Sequence, residues 1–294
     1  MITGATGMVG AALSLALRAH GHEVLAVSRR QVPGGIRWDP QRHVIDSAVL
    51  RGTAAVVHLA GENLAEGRWT IRRRQQIRDS RVVATRWLAE TLAATESGPR
   101  VLISASAIGI YGNRQDEVLT EDSNLGGDFL ARLAADWEAA AEPARQAGIR
   151  VVHPRFGMIL SPAGGALAKL LLPFRLGLGG PFGDGRQWIS WITIDDVVGV
   201  IERALTTEAL NGPVNFTAPT PVRNAEFARA LGQVLHRPAL IPLPAIALRL
   251  ALGEMADATL LASQRVKPAR LEANGYQFRH PELVPALHGL LAPE

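Results

Sequence analysis

Short runs of apolar and β-branched residues alternate along the chain with segments in which apolar residues recur every three or four positions. Val9, Leu13 and Leu17 show the second spacing, which is that of one buried helix face. The short runs predict strands at residues 23–27, 54–60, 100–104 and 149–153. Strands that alternate with helices indicate a parallel sheet covered on both faces. The pattern therefore predicts the α/β class, with a doubly wound parallel sheet of the Rossmann type.

A glycine-rich loop stands between the first strand and the first helix. Its sequence is Gly4-Ala5-Thr6-Gly7-Met8-Val9-Gly10. Glycines at this spacing permit a tight turn and let a pyrophosphate lie against the backbone at the helix N terminus. The loop therefore predicts a dinucleotide site, and its expected contacts are Gly4, Thr6, Gly7, Met8 and Val9.

Only Met1, Ile2 and Thr3 precede this loop. A buried strand usually has about five residues. We therefore expect residues upstream of Met1 to belong to the native first strand.

The alternation of strands and helices is less regular beyond Pro154, where loops rich in glycine and proline separate the elements. Helices are predicted at 71–94, 128–147, 195–205, 224–235, 244–252 and 281–291. Asp128 is the expected N-cap of the second of these helices, and Asp195 and Asp196 are the expected N-cap and first-turn carboxylate of the third. We predict a dinucleotide-binding domain over residues 1–160, a mixed segment over 161–240 that completes the sheet and the substrate side, and a small helical domain over 241–294.

Composition narrows the class of protein. The chain has 294 residues, of which 47% are hydrophobic and 20% charged, so it can bury a large core. It contains no cysteine, which excludes disulfides and a cysteine nucleophile, and the spacing of His, Asp and Glu recommends no metal site. No apolar stretch reaches the roughly 18 residues of a membrane span, and the N terminus shows no secretory pattern. We expect a cytoplasmic protein without a membrane partner.

Charge argues against nucleic acid as a partner. The net charge is only +4, which suits an anionic cofactor or small-molecule substrate. Arginines crowd one segment, at Arg68, Arg72, Arg73, Arg74, Arg78 and Arg81. This segment also contains Asp79 and lacks interleaved aromatic residues beyond Trp69. We expect most of these arginines to form a solvated helix face and one or two to reach phosphates.

The end of the second strand predicts the form of the cofactor. An acidic residue there binds the ribose 2′-hydroxyl of NAD, whereas an arginine accommodates the 2′-phosphate of NADP. The strand ends with Ser28 and Arg29 and has no carboxylate. The sequence therefore predicts NADP(H). Further along, the small residues Ala60 and Gly61 close a buried strand where an adenine or ribose can approach the backbone.

Several strings resemble the extended short-chain dehydrogenases, which include the sugar-nucleotide epimerases. They are the glycine loop, His58-Leu59-Ala60-Gly61, Ser104-Ala105-Ser106, Ile110-Tyr111-Gly112, Gly183-Asp184-Gly185 and Ile194-Asp195-Asp196-Val197. Others resemble an atypical branch, the NAD(P)-dependent epimerase family, and its small C-terminal domain of unknown function: Ala60-Gly61-Glu62-Asn63, Asp79-Ser80-Arg81, Trp137-Glu138-Ala139-Ala140, Leu172-Pro173-Phe174, Gly177-Leu178-Gly179-Gly180-Pro181, Asn224-Ala225-Glu226-Phe227 and Ile241-Pro242-Leu243-Pro244. The resemblance spans nearly the whole chain. It implies NADP(H) contacts at Ser28, Arg29, Leu59, Ala60, Glu62, Arg81 and Ile159.

The sequence departs from that superfamily in its catalytic pair. The general mechanism uses Tyr-x-x-x-Lys on a helix, in which the lysine lowers the tyrosine pKa. The two tyrosines here, Tyr111 and Tyr276, are followed four positions later by Gln115 and His280. We therefore expect a substitute proton donor. The candidate catalytic residues are Ser104 and Ser106, at the end of a strand, and Tyr111 in the following loop, with the loop at 177–188 as a lid.

Two functions remain open from the sequence. One is an NADP(H)-dependent oxidoreductase or epimerase-like enzyme that acts on an unidentified carbonyl or sugar-like substrate. The other is a non-catalytic NADP(H)-binding sensor or partner-binding protein, which the missing Tyr-Lys pair favours. The sequence is compatible with a homo-oligomer and does not fix the oligomeric state.

Overall fold

The computed structural model describes residues 1–28, 35–38 and 49–292. Its strands are β1 (Ile2–Thr3), β2 (Ala26–Ser28), β3 (Ile36–Arg37), β4 (Ala55–His58), β5 (Val101–Ser104), β6 (Ser106–Ala107), β7 (Val118–Leu119), β8 (Arg150–Phe156), β9 (Met158–Leu160), β10 (Trp188–Ile189), β11 (Trp191–Thr193), β12 (Gly212–Phe216), β13 (Val222–Arg223) and β14 (Arg265–Val266). Its α-helices are α1 (Met8–Ala19), α2 (Ile71–Arg78), α3 (Ala84–Ala93), α4 (Phe129–Ala139), α5 (Glu142–Gln146), α6 (Gly165–Arg175), α7 (Ile194–Thr206), α8 (Asn224–Val234), α9 (Ala245–Leu252), α10 (Ala269–Ala273) and α11 (Leu283–Leu291). Shorter turns are π-helical at Asp79–Val83 and Ala256–Leu260 and 3-10 helical at Ile108–Tyr111.

The main sheet is parallel, and its strand order reverses at β1. The order is β12-β8-β5-β4-β1-β2-β3, with β6 as an additional partner of β8. Ile2 in β1 pairs with Val57 on one side and with Ala26 on the other. In a doubly wound sheet, the reversal opens a crevice beyond the carboxyl ends of the strands, and ligands bind there.

Helices cover both faces of this sheet. On one face, Leu13 of α1 and Val200 of α7 pack in a cluster with strand residues such as Ile103. On the other face, Leu88 of α3 and Ala144 of α5 pack against strand residues. The doubly wound architecture predicted from the alternating pattern is confirmed.

Two predicted helices differ in detail from the structure. Asp128 caps α4 as predicted, since its carboxyl accepts a hydrogen bond from the Ala131 amide at 2.8 Å. The helix predicted through residue 147 is divided into α4 and α5, and Pro143 lies in the first turn of α5, where its missing N–H costs little. At α7 the N-cap is Thr193 rather than Asp195, because the Thr193 hydroxyl accepts from the Asp196 amide.

The C-terminal region is mainly helical and packs across the Arg-rich segment. Met255 joins Trp69, Ile77 and Leu133 in one apolar cluster. The Arg68 guanidinium also donates to the backbone of α9 at Ala251. This region therefore contacts α2 and α4. None of the helices in the described part of the chain is long and apolar enough to cross a membrane.

Asp196 joins the chain near its C-terminal end to α7. Its side chain is fully buried. One carboxyl oxygen accepts from the Arg279 amide at 2.7 Å, and the other accepts from the His280 amide at 3.0 Å and from the Thr193 hydroxyl at 3.0 Å. This one carboxyl satisfies two backbone donors of a segment 83 and 84 residues away.

Replacing Asp196 with alanine should destabilise the protein, because two buried backbone donors lose their acceptor. We expect the free energy of unfolding to fall by about 3 kcal/mol. The control is Asp195→Ala, which removes an exposed carboxylate from the same helix turn and should cost only about 0.5 kcal/mol. Urea denaturation measures both, and equal losses in the two variants would contradict this role for Asp196.

Candidate functional site

The glycine loop forms a backbone cradle that side chains would fill. Gly4 has a φ of +70°, and a Cβ on it would lie 3.0 Å from backbone atoms of Leu59 and Ala60. A Cβ on Gly10 would lie 2.3 Å from the Gly4 carbonyl oxygen. At the N-cap of α1, Gly7 provides no side-chain hydrogen bond, and the first turn contains no acidic residue. The positive end of the α1 dipole therefore has no carboxylate in its own first turn, which favours an anionic ligand there.

A cavity of about 330 Å³ lies beside this loop, at the carboxyl ends of the strands. It is lined by Gly4, Gly7, Met8, Val9, Gly10, Leu59, Leu64, Arg81, Ala105, Ser106, Ala107, Gly109, Leu130, Leu133, Ala134, Trp137 and Phe156. A larger concavity of about 1160 Å³ lies at the opposite edge of the sheet, around Met1, Ala55, Val101 and Arg150. The smaller cavity is the candidate site, because ligands of doubly wound sheets bind at the carboxyl ends.

Arg81 lines the cavity from a π-helical turn. The turn Asp79–Val83 interrupts the helix between α2 and α3, and such turns are frequent at functional sites. The Arg81 guanidinium donates to the Glu62 carbonyl at 2.9 Å and lies 5.2 Å from the Trp137 ring centroid. Burial lowers the pKa of Arg81 to about 10, so it stays charged at neutral pH. Gly61 packs against it, since a Cβ there would lie 3.4 Å from Arg81 Cζ.

A buried hydrogen-bond chain connects β1 to the cavity wall. The two ring nitrogens of His58 lie 2.7 Å from the Thr3 hydroxyl and 3.0 Å from the Thr85 hydroxyl. The Trp137 indole donates to the same Thr85 hydroxyl at 2.9 Å. Burial lowers the pKa of His58 to about 4, so the ring is neutral. This chain fixes the indole against which Arg81 stacks.

The predicted catalytic residues separate in the structure. Ser106 lines the cavity. Ser104 is fully buried outside the cavity lining, and its hydroxyl makes no hydrogen bond with the described residues. Tyr111 is also fully buried away from the lining, and its hydroxyl donates to Asn215. Of the three, only Ser106 is among the residues that line the cavity, and it is 2% exposed.

The predicted cofactor contacts lie mostly around the same cavity. Gly4, Gly7, Met8, Val9, Leu59 and Arg81 line it. Thr6 is exposed in the loop, Ala60 lies against Gly4, and Ser28 ends β2. Ile159 lies in β9. A Cβ on Gly165, the first residue of α6, would lie 3.7 Å from the Ile159 carbonyl oxygen and 3.4 Å from Met8. The Glu62 carboxylate lies 3.4 Å from Arg73. Arg29 lies outside the described residues.

The loop predicted as a lid packs elsewhere. Gly183 donates to the Leu243 carbonyl, and Gln187 donates to the Leu260 carbonyl, so residues 177–188 pair with the C-terminal region. None of these residues lines the cavity. The described residues also contain no group of three or more His, Asp or Glu side chains that could hold a metal ion.

Sequence reasoning missed two charged residues beside Ser106. Arg155 and Glu138 form an ion pair at 2.8 Å, with only 5% and 14% of their side chains exposed. The sequence analysis ends this strand at residue 153, whereas β8 continues to Phe156 and buries Arg155, and a buried charge requires a partner. The identity of that partner depends on tertiary contacts between β8 and α4.

Two family descriptions match the chain. Residues 1–216 match the NAD dependent epimerase/dehydratase family, and residues 243–290 match a domain of unknown function (DUF1731). The chain belongs to the NAD dependent epimerase/dehydratase family. The resemblance recognised from the sequence, including its small C-terminal domain, is confirmed.

Relatives of the chain match it over nearly its full length. The epimerase family protein MT2273 of Mycobacterium tuberculosis is 44% identical over 288 residues, which are 97% of this chain and 95% of that protein. The human epimerase family protein SDR39U1 is 38% identical over 295 residues, which are 99% of each. The crystal structure of human SDR39U1 (isoform 2) with NADPH has a TM-score of 0.92, covering 98% of this chain and 97% of that chain. NADPH is the cofactor that the sequence analysis predicts here.

The buried histidines should make stability depend on pH. Burial holds the pKa of His58 and of His153 at about 4, against 6.5 for an ordinary histidine. Between pH 6.5 and 4 the unfolded chain therefore binds more protons, so stability falls as pH falls through that window. Each histidine should contribute up to about 1.4 kcal/mol per pH unit.

Denaturation across this pH range tests the assignment of His58. In the variant His58→Gln, the slope of the unfolding free energy against pH should fall by the contribution of one buried histidine. The control His22→Gln replaces an exposed histidine and should retain the wild-type slope. A wild-type slope in His58→Gln would show that His58 is not held neutral.

Proposed function

We propose that this protein is an NADP(H)-dependent oxidoreductase or epimerase-like enzyme whose substrate is a small carbonyl or sugar-like molecule. The observation that carries the proposal is the glycine cradle at the α1 N terminus, which lies beside a cavity lined by one half-buried cation, Arg81, and one buried hydroxyl residue, Ser106. The NADPH in the human relative's crystal structure supports the choice of cofactor.

The residues around the cavity fit a dinucleotide. The α1 N terminus and the glycines would hold the pyrophosphate, because a backbone without Cβ atoms lets phosphate oxygens reach the amides. Ser28 and Arg29 would hold the 2′-phosphate. Bound nicotinamide supplies the hydride acceptor or donor. Leu130, Leu133 and Trp137 of α4 would shield the reacting part of the cavity from water.

Ser106 is the residue that we propose to contact the reacting oxygen. It lines the cavity, and its hydroxyl is held by a hydrogen bond to Glu138 at 2.7 Å. Tyr111 would act through the groups between it and Ser106 rather than on a substrate. The Tyr-Lys pair of the wider superfamily has no equivalent here, since the α4 wall of the cavity is apolar.

That apolar wall also favours a second candidate function. A protein that binds NADP(H) without turnover, as a sensor or partner-binding protein, needs no proton donor beside the nicotinamide. The two functions differ in one measurable respect, which is oxidation or reduction of the bound cofactor when substrate is added.

We predict that the protein binds NADPH more tightly than NADH. Calorimetry on the wild type and on Arg29→Ala measures this, and loss of the arginine should weaken NADPH binding about ten- to a hundredfold. Arg51→Ala is the control, because Arg51 is an exposed arginine at the opposite edge of the sheet. Equal wild-type affinities for NADPH and NADH would reject the assignment.

Turnover should depend on Ser106. In a panel of carbonyls with NADPH and alcohols with NADP⁺, Ser106→Ala should reduce kcat by about a hundredfold, as loss of a proton-transfer group does. The absorbance of NADPH follows the reaction. Tight NADPH binding without turnover of any compound in the panel would instead support the sensor function.

A further inference from the structure

Ser106 stands at the cavity end of a buried chain of polar side chains. It is 2% exposed, and its hydroxyl donates to Glu138 Oε1 at 2.7 Å. Arg155 holds both oxygens of that carboxylate, through Nε at 2.8 Å and Nη2 at 2.9 Å. A two-point pair of this kind fixes the carboxylate in one orientation.

Hydrogen-bond direction is determined at each further link. Arg155 Nη1 lies 2.9 Å from the Tyr111 hydroxyl oxygen. Because arginine can only donate, that oxygen is the acceptor in this hydrogen bond. The Tyr111 proton then goes to Asn215 Oδ1 at 2.7 Å. The amide nitrogen of Asn215 donates to the Lys267 carbonyl at 2.9 Å, which agrees with this amide orientation. Arg155 therefore donates in two directions, to Glu138 at the cavity end and to Tyr111 toward the core, and Ser106 donates to Glu138 from the cavity side.

The same chain determines the charge of Glu138. Burial raises the pKa of Glu138, but the hydrogen bonds and charge of Arg155 outweigh burial and hold that pKa below its usual range. An ionised carboxylate can only accept. Ser106 must therefore direct its proton at Glu138, and the lone pairs of its oxygen remain for a molecule in the cavity.

We propose that Ser106 is a hydrogen-bond acceptor in this cavity and that it selects a ligand bearing a hydroxyl over the corresponding carbonyl. The ligand hydroxyl would donate to the Ser106 oxygen while the Ser106 proton stays directed at Glu138. Ser106 is the residue that contacts the ligand, and Glu138, Arg155, Tyr111 and Asn215 are positioning residues.

This inference rests on the proposed function, because it assigns a task to the same cavity. An ionised Glu138 takes the Ser106 proton in a hydrogen bond, so Ser106 presents lone pairs rather than a proton to the cavity.

Binding of a matched alcohol and ketone tests the direction of Ser106. The probes are cyclohexanol and cyclohexanone, and ligand-observed NMR measures their dissociation constants with protein saturated with NADP⁺ or NADPH and with cofactor-free protein. The wild type should prefer the alcohol by about three- to tenfold, the value of one net hydrogen bond. Ser106→Ala should abolish the preference, and Ser106→Thr, which keeps a hydroxyl, should restore it.

Two further measurements separate this role from a structural one. Ser190→Ala removes a serine hydroxyl that is also 2% exposed and donates to a carbonyl outside the cavity, so it should keep the alcohol preference. Carbon-13 NMR of the Glu138 carboxyl should show a higher pKa in Ser106→Ala than in the wild type, because the serine hydrogen bond lowers it.

Several results would overturn the inference. They are a wild-type preference for the ketone, no preference, no binding of either probe, a preference that survives in Ser106→Ala, or an unchanged Glu138 pKa in that variant. Calorimetry with NADPH is independent of all of these. Absence of cofactor binding therefore rejects the proposed function, whereas normal cofactor binding without the alcohol preference rejects this inference alone.

Discussion

The Arg155–Glu138 pair is the contact that joins the sheet to the candidate site. A charged residue in a strand as buried as β8 is tolerated only with a partner that satisfies its donors. Glu138 supplies this from α4, and Tyr111 and the Glu121 carbonyl accept the remaining hydrogen bonds. The pair therefore fixes α4, β8 and the Ile108–Tyr111 turn relative to one another. Loss of either partner alone would leave a buried charge, which typically costs about 3–5 kcal/mol.

The other side of the cavity depends on neutral contacts. His58 is held between two threonine hydroxyls, and one of these also receives the Trp137 indole proton. Trp137 and Glu138 are consecutive in α4, so one helix turn supports both the stacked Arg81 and the hydroxyl of Ser106. A shift of α4 would alter the cation and the hydroxyl together.

The sequence predicts the features that depend on local pattern. Alternating apolar runs predict the parallel sheet, and the spacing of Gly4, Gly7 and Gly10 predicts the cradle, because both depend on residues close in the chain. Tyr111 was expected to face the site, since it follows a strand that ends there. In the structure Tyr111 is buried in the core, where its hydroxyl donates to Asn215. Asn215 lies 104 residues away in the sequence, so no local pattern could predict this contact. The partnership of Arg155 with Glu138 was missed for the same reason.

The π-helical turn at Asp79–Val83 has a consequence for how one helix serves two parts of the protein. Residues seven apart in a regular α-helix return to within about 20° of the same direction. Ile77 and Ala84 have this separation, yet Ile77 packs with Met255 of the C-terminal region while Ala84 packs with Val27 of the sheet. The wider π-helical turn rotates the residues after it relative to those before it. One continuous helix can therefore bury Ile77 on one side and Ala84 on another. Deletion of one residue there would restore regular geometry and turn Ile77 and Ala84 toward the same side of the helix, so that only one of the two could keep its present partners.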